Sequence, residues 1–331
     1  MRLRSLALTG FIGLGAAAAV VAWLALTPAP AVQAGPLVVE IPAHEGARGI
    51  AARLRDAGVV RSQVAFLGLT VAKGSLRHLK AGEYEIPQDA STLDIVDLIV
   101  SGRVRQHLVL HPEGATVSEL GRLLENARLA RAEDVVRAAS DERLRRALDV
   151  TGPSLEGYLF PDTYQFVRGM SVDEMLGRMV QRMRAKVTPD VLARARARGL
   201  DMHGLLTMAS IIEREAVDAS EQRLISAVFW NRLALDMPLQ ADPTVQYAVA
   251  KQRGTLTRAD LGTDHPYNTY ARRGLPPGPI ASPGLGAIAA AVDPAPVKYL
   301  YFVAQDDRRH HFSTTVAEHN AAVLRYRLSR R

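Results

Sequence analysis

The sequence predicts an α+β protein in three parts: an N-terminal transmembrane helix, a small α+β module, and a mainly helical α+β domain. Three observations predict it. An uncharged apolar stretch runs from Leu6 to Leu26. Short strand-like runs then alternate with amphipathic helical patterns. Beyond about residue 115 helical periodicity dominates, broken by loops rich in Pro, Gly and aromatic residues. At 331 residues there is room for two domains, and 48% hydrophobic with 23% charged residues is the balance of a folded chain. There is no Cys, which excludes a disulfide framework, thiol catalysis and Cys-ligated zinc.

Residues 1–5 carry Arg2 and Arg4, and no further charge occurs before Glu40. As a helix, residues 6–26 would be ~30 Å long, enough for a bilayer core. A cationic flank on one side only predicts a single-pass inner (plasma) membrane protein, N-terminus cytoplasmic and bulk extracytoplasmic. A cleaved signal peptide ending near Val32-Gln33-Ala34 is the competing reading, but its apolar region is usually only about 7–15 residues. Lys and Arg (41) exceed Asp and Glu (34), a net charge of +7 that suits anionic polymers or membrane surfaces. Export removes nucleic acid as a partner. Residues 27–35, with Thr27-Pro28-Ala29-Pro30, read as a stiff linker.

In residues 36–105, a strand near Val38–Ile41 precedes a helical pattern through Ile50 and Leu54. A second strand near Ala81–Ile86 precedes a helix from Ser91 to Ile99, giving a βααβα module. Residues 106–331 form the second domain. It opens with the strand Leu108–Leu110, a Glu113-Gly114 turn, and a helix begun by the capping box Thr116…Glu119. Leu176, Met179, Val180 and Met183 form an apolar stripe, and Thr188-Pro189 begins a further helix. Seven Lys or Arg between 178 and 198 read as a solvated basic face, with anionic glycan or phospholipid as the alternative.

Leu205 to Val217 reads as an amphipathic helix with its stripe centred on Leu205, Ile212 and Ala216. It carries Glu213 on one edge and Glu215 on the other, ~160° apart at 100° per residue, so the two cannot act as a pair. Either could be a half-buried general acid, or merely paired with Arg214 or Arg223. Periodicity does not choose between them. Ser220–Leu235 is a further helix, and Asp242 is the natural N-cap of the next. Around these lie loops in which rings stand beside polar groups: Tyr158, Phe160 and Asp162; Gln240, Asp242, Thr244 and Tyr247; Asn268 and Tyr270; and Ser282 within a Pro- and Gly-rich rim. Fourteen of the 18 aromatic residues lie after residue 150. Rings flanked by amides and carboxylates suit sugars, which offer C–H faces for stacking and hydroxyls for hydrogen bonds. No metal site is expected: His310, His311 and His319 lack ligand spacing, and the first two would alternate across a strand.

Glu156–Tyr164, Ala209-Ser210-Ile211-Ile212-Glu213-Arg214-Glu215, Leu239–Thr244, Tyr267–Tyr270, Gly274–Gly284 and Tyr299–Val303 resemble, in order, the signatures of the endolytic murein transglycosylases (the MltG or YceG-like family). His311–Thr314 with His319-Asn320 resembles its closing motif. The resemblance implies a membrane-anchored enzyme with a LysM-like module at 36–105 and a catalytic domain at 106–331. It makes Glu213, the first glutamate of the motif, the catalytic group. The implied reaction is non-hydrolytic cleavage of the β-1,4 MurNAc–GlcNAc bond of nascent glycan strands, giving 1,6-anhydroMurNAc ends and ending strand elongation. The remaining ring and polar residues above become substrate-binding, with no metal and no cofactor. The implied partners are peptidoglycan strands and the peptidoglycan synthases (penicillin-binding proteins). Two rivals stand beside this: a hydrolytic muramidase with Asp242 as second carboxylate, and a non-catalytic membrane-anchored glycan-binding scaffold.

Overall fold

A computed structural model of the chain describes residues 19–30, 35–251 and 254–329, in a mixed α+β fold. Residues 19–26 are helical, but most of the Leu6–Leu26 stretch lies outside the described residues. Among the described residues no helix is long and apolar enough to cross a membrane.

The chain divides into two compact units. The first comprises the residues up to His107 together with Gln165–Met170. In it β1 (Leu37–Ile41) pairs antiparallel with β2 (Gly82–Ile86), Leu37 opposite Ile86. Helices Ala47–Asp56 and Gln63–Ala72 lie between the strands in sequence, and Thr92–Ser101 follows, the βααβα order expected from the pattern. Local chemistry starts these helices: Ser62 accepts the N–H of Ala65, and Ser91 and Asp94 form a reciprocal capping box. Alternation along the strands turns Val39, Ile41, Tyr84 and Ile86 inward onto Ile50, Leu54, Phe66, Ile95 and Ile99. Phe66 is completely buried, so Phe66→Ala is expected to cost about 3–5 kcal/mol, read as a lower urea midpoint.

The return of 165–170 to this unit has no signal in the sequence. It follows from long-range contacts: Phe166 is buried, and Arg168 lies 3.8 Å from Glu40 and 3.7 Å from Glu83. β3 (Gln106–His111) and β4 (Asp162–Val167) form a second two-stranded sheet.

The second unit is mainly helical. The Thr116–Glu119 capping box is formed and starts helix Val117–Asn126. Thr188 caps Pro189–Ala197, with Pro189 in its first turn. Met202–Glu215 is its central helix, packed on Gln222–Ala234, Asp242–Ala248 and Leu285–Val292. Every residue from Leu205 to Ile212 is buried, so the expected one-sided stripe is corrected to a helix enclosed all round, with polar edges only in its last turn. Ala287, Ala290 and Ala291 let Leu285–Val292 approach it closely. Much of the basic run is spent internally: Arg178 pairs with Glu174, Arg182 with Asp162 and Arg194 with Asp190, while Arg198 donates to the carbonyl of Val292. β5 (Tyr301–Ala304) and β6 (His310–Ser313) form an antiparallel hairpin, tied to Ala219–Glu221 by Glu221, which accepts from His310, and helix Val316–Ser329 follows and packs on it.

Candidate active site

Glu213 stands in the last turn of Met202–Glu215, half-buried. Its Oε2 accepts the backbone N–H of Gly284 at 3.0 Å. Gly284 is the N-cap of Leu285–Val292 and has no side chain to cap with, so Glu213 takes the role of a capping-box acid from another helix. An N–H donor on Oε2 makes that atom the carbonyl-like oxygen, so the acid proton belongs on Oε1. Burial pushes the Glu213 carboxyl above the ordinary carboxylate range, the Gly284 N–H partly offsets this, and the nearby Glu113 carboxylate adds to the rise. The C-terminal end of its own helix dipole acts in the same upward direction.

Two segments enclose this group. The turn after β3 lies over it: Gly114, in the left-handed region (φ 72°), is so close that a Cβ there would stand 3.8 Å from Cγ of Glu213. Arg214 donates to the Gly114 carbonyl at 3.1 Å. The second segment is 279–284. Gly114 N–H donates to the Ser282 carbonyl and Ser282 N–H to the Ala115 carbonyl, both at 2.8 Å, as in a strand pair. The Ser282 hydroxyl lies 2.9 Å from Nε2 of the buried His111, and Ile280 N–H donates to Ser210 Oγ at 3.0 Å. Burial pushes His111 down to about 4, so this lock is built on a neutral imidazole.

Glu213 opens into a groove of about 520 Å³ walled by Pro112, Glu113, Glu119, Arg122 and Arg214. An adjoining cavity of about 320 Å³ shares Arg122 and Arg214 and is lined by Glu156, Gln246 and Tyr247. Glu156 is buried, and the Val117 N–H donates to its two oxygens at 3.1 and 3.2 Å. Desolvation pushes it up to about 8, against an ordinary 4.5. A carboxyl raised on folding stabilises the fold below pH 4.5, and this contribution fades as pH climbs to about 8. Glu156→Gln is therefore expected to flatten the fall of thermal stability between pH 4.5 and 8, seen by calorimetry across that range; an unchanged slope would contradict the burial argument.

Glu215 faces the other way, as the helical geometry requires. It accepts the N–H of Asp242, and burial together with the Asp242 charge pushes it up to about 8. The arginine charges of Arg232 and Arg214 partly offset the rise at Glu215. Arg214 binds the Gly114 carbonyl, and Arg223 pairs with Asp293. Asp242 is corrected from N-cap to first residue of Asp242–Ala248, the extended cap position being Ala241. Its carboxylate accepts the Tyr270 hydroxyl at 2.6 Å.

The expected substrate-binding residues separate into four sets. Tyr247 lines the 320 Å³ cavity, tilted against Tyr267 at 4.9 Å. Gln240, Asp242 and Tyr270 gather near Glu215 and Arg232, the Gln240 side chain accepting from Arg232 at 3.2 Å. Asp162 is held by Arg182. The remaining five, Tyr158, Phe160, Thr244, Asn268 and Ser282, are buried. Tyr158 bonds His203 at 2.9 Å, Thr244 bonds Thr269 at 2.8 Å, and Asn268 donates to the carbonyls of Leu261 and Thr263. The bonds of Tyr158, Thr244 and Asn268 hold the loops in shape. Sequence reasoning missed Glu113, His111 and Ser210, whose roles depend on approaches across 70 residues or more; the one available signal was the Glu113-Gly114 turn.

A family model described as the YceG-like family matches residues 39–325. The chain is 32% identical over 304 residues to a Bacillus subtilis (strain 168) protein named endolytic murein transglycosylase, covering 87% of this chain and 84% of that one. A Streptococcus pneumoniae (strain D39) protein of the same name is 29% identical over 322 residues, and the chain spans 58% of its length. Among solved structures, a yceG-like protein of Listeria monocytogenes matches with a TM-score of 0.61 and 32% identity, covering 86% of this chain and 98% of that one.

Proposed function

The chain belongs to the YceG-like family, and from that membership we propose that it is an endolytic lytic transglycosylase acting on peptidoglycan. The observation that carries the reading is Glu213: a carboxyl raised by burial, fixed through one oxygen by Gly284, at the wall of an open groove. In its acid form Glu213 gives its proton to the oxygen linking C1 of N-acetylmuramic acid to C4 of N-acetylglucosamine, and that C–O bond breaks. The carboxylate left behind takes the proton of the muramoyl C6 hydroxyl as O6 bonds to C1, leaving a 1,6-anhydro end and restoring the acid. No water is consumed. An internal nucleophile of high effective molarity replaces the second carboxylate that most glycosidases need.

Mass spectrometry of digested uncross-linked strands tests this, because anhydro ends are lighter than reducing ends by one water. Reducing ends alone would replace the proposal with a muramidase. That rival keeps one observation in its favour, a second carboxylate near Glu213, but the group is Glu113; Asp242 lies with Glu215 and Tyr270.

We further propose that residues 6–26 anchor the chain in the inner membrane with residues 1–5 in the cytoplasm, and that the catalytic part works outside. The lone cationic flank supports this. Full-length protein is expected in the membrane fraction after alkaline carbonate extraction, and protein lacking residues 1–35 in the soluble fraction; recovery of both as soluble protein would remove the anchor. The antiparallel β1–β2 pair with two intervening helices supports a LysM-like, glycan-binding reading of 36–105. Peptidoglycan synthases are the proposed partners, with cleavage ending the elongation of their nascent strands.

A further inference from the structure

One backbone position holds two carboxylates. Gly284 gives its N–H to Oε2 of Glu213, and Oε1 of Glu113 lies so near that a methyl group on Gly284 would stand 1.9 Å from it. Both acids line the same open groove. The approach is built into the fold. The paired bonds between Gly114, Ala115 and Ser282, with the His111–Ser282 contact beneath them, clamp the turn carrying Glu113 onto the segment carrying Gly284.

We propose that Glu113 is a positioning residue for Glu213: seated over Gly284 at the groove wall, its negative charge keeps the Glu213 carboxyl in the acid form that can donate to a glycosidic oxygen. The inference rests on Glu213 acting as the acid of the reaction proposed above. The other charged groups near Glu213 do not supply this effect. From Val117–Asn126 come Glu119, whose carboxylate accepts the Thr116 N–H at 2.8 Å, and Arg122. From its own helix come Arg214, which binds the Gly114 carbonyl, and Glu215, turned toward Asp242. The buried His111 is neutral, and the 285–292 helix contributes only the Gly284 N–H. The Gly284 N–H favours an ionised Glu213, and Glu113 acts with burial against it. The same repulsion serves the second half of the reaction. Once Glu213 has given up its proton, two neighbouring carboxylates favour recovery of one from the C6 hydroxyl.

The test is kcat/KM against pH for the full-length enzyme on uncross-linked glycan strands, with product masses read in parallel. Activity of the wild type falls as pH rises through the titration of Glu213. In Glu113→Gln that fall is expected about one pH unit lower, roughly tenfold less activity above it and little change below. Glu113→Asp, which keeps the charge, is expected to restore the wild-type profile. Gly284→Ala should shift the profile in the same direction, since its methyl displaces the Glu113 carboxylate and spares the N–H. An unshifted profile, or a loss of equal size at every pH, overturns the inference while anhydro products leave the proposed reaction standing. Reducing ends from the wild type overturn the reaction itself, whatever the profile.

Discussion

Replacing Glu213 with Gln is expected to slow cleavage of glycan strands by on the order of 10²–10⁴-fold, with thermal stability changed by about 1 kcal/mol or less. The two halves of this expectation have separate causes. A glutamine keeps the volume of the side chain and an oxygen that can accept the Gly284 N–H, so the start of Leu285–Val292 stays satisfied. What it lacks is a transferable proton. Glu215→Gln separates this from a general effect of removing a carboxyl from the helix end. Glu215 is turned to Asp242 and Arg232, away from the groove, so its variant is expected to keep most of the activity. Should Glu213→Gln cleave at the wild-type rate, the assignment of the acid is wrong. Should both variants fail alike, the helix end matters as structure and not as chemistry.

The opposed placement of these two glutamates was legible in the sequence, because it depends only on 3.6 residues per turn. The structure adds what each meets: Gly284 on one side and Asp242 on the other. Helix starts were legible for the same local reason, as Thr116…Glu119 and Thr188-Pro189 carry their caps within four residues. The aromatic loops were harder. Rings beside polar residues read as a sugar site, yet Tyr158 and Phe160 are buried, and Asn268 spends its amide on two carbonyls. A ring in a loop is free or buried according to what packs on it, and that is decided by distant segments. Glu113 shows the same limit from the other side. It read as half of a turn, and gained a role only because Ser282, far along the chain, hydrogen-bonds to Gly114 and Ala115.

Gly157→Ala is expected to be the most damaging single methyl in the second unit, costing roughly 3 kcal/mol or more and lowering activity per folded molecule at least tenfold. Gly157 is in the left-handed region (φ 78°), where an alanine costs about 1–2 kcal/mol by itself. The new Cβ would also lie 2.2 Å from Cβ and 2.5 Å from Cγ of Pro279, and 3.3 Å from the Ala281 carbonyl oxygen. A proline ring cannot swing aside as a long side chain can, so the backbone of 279–281 must move. That segment delivers Ile280 N–H to Ser210, Ser282 to His111 and Gly114, and Gly284 N–H to Glu213. Displacing it loosens the acid and Glu113 together, though Gly157 touches neither. Gly169→Ala gives the comparison: its φ is 85°, but a Cβ there meets nothing within 4 Å, so only backbone strain is expected and activity persists. Urea midpoints and rates per folded molecule for the two variants decide the matter. If Gly157→Ala loses stability and activity no more than Gly169→Ala, the 279–284 segment yields freely, and the rigidity claimed for the site is wrong.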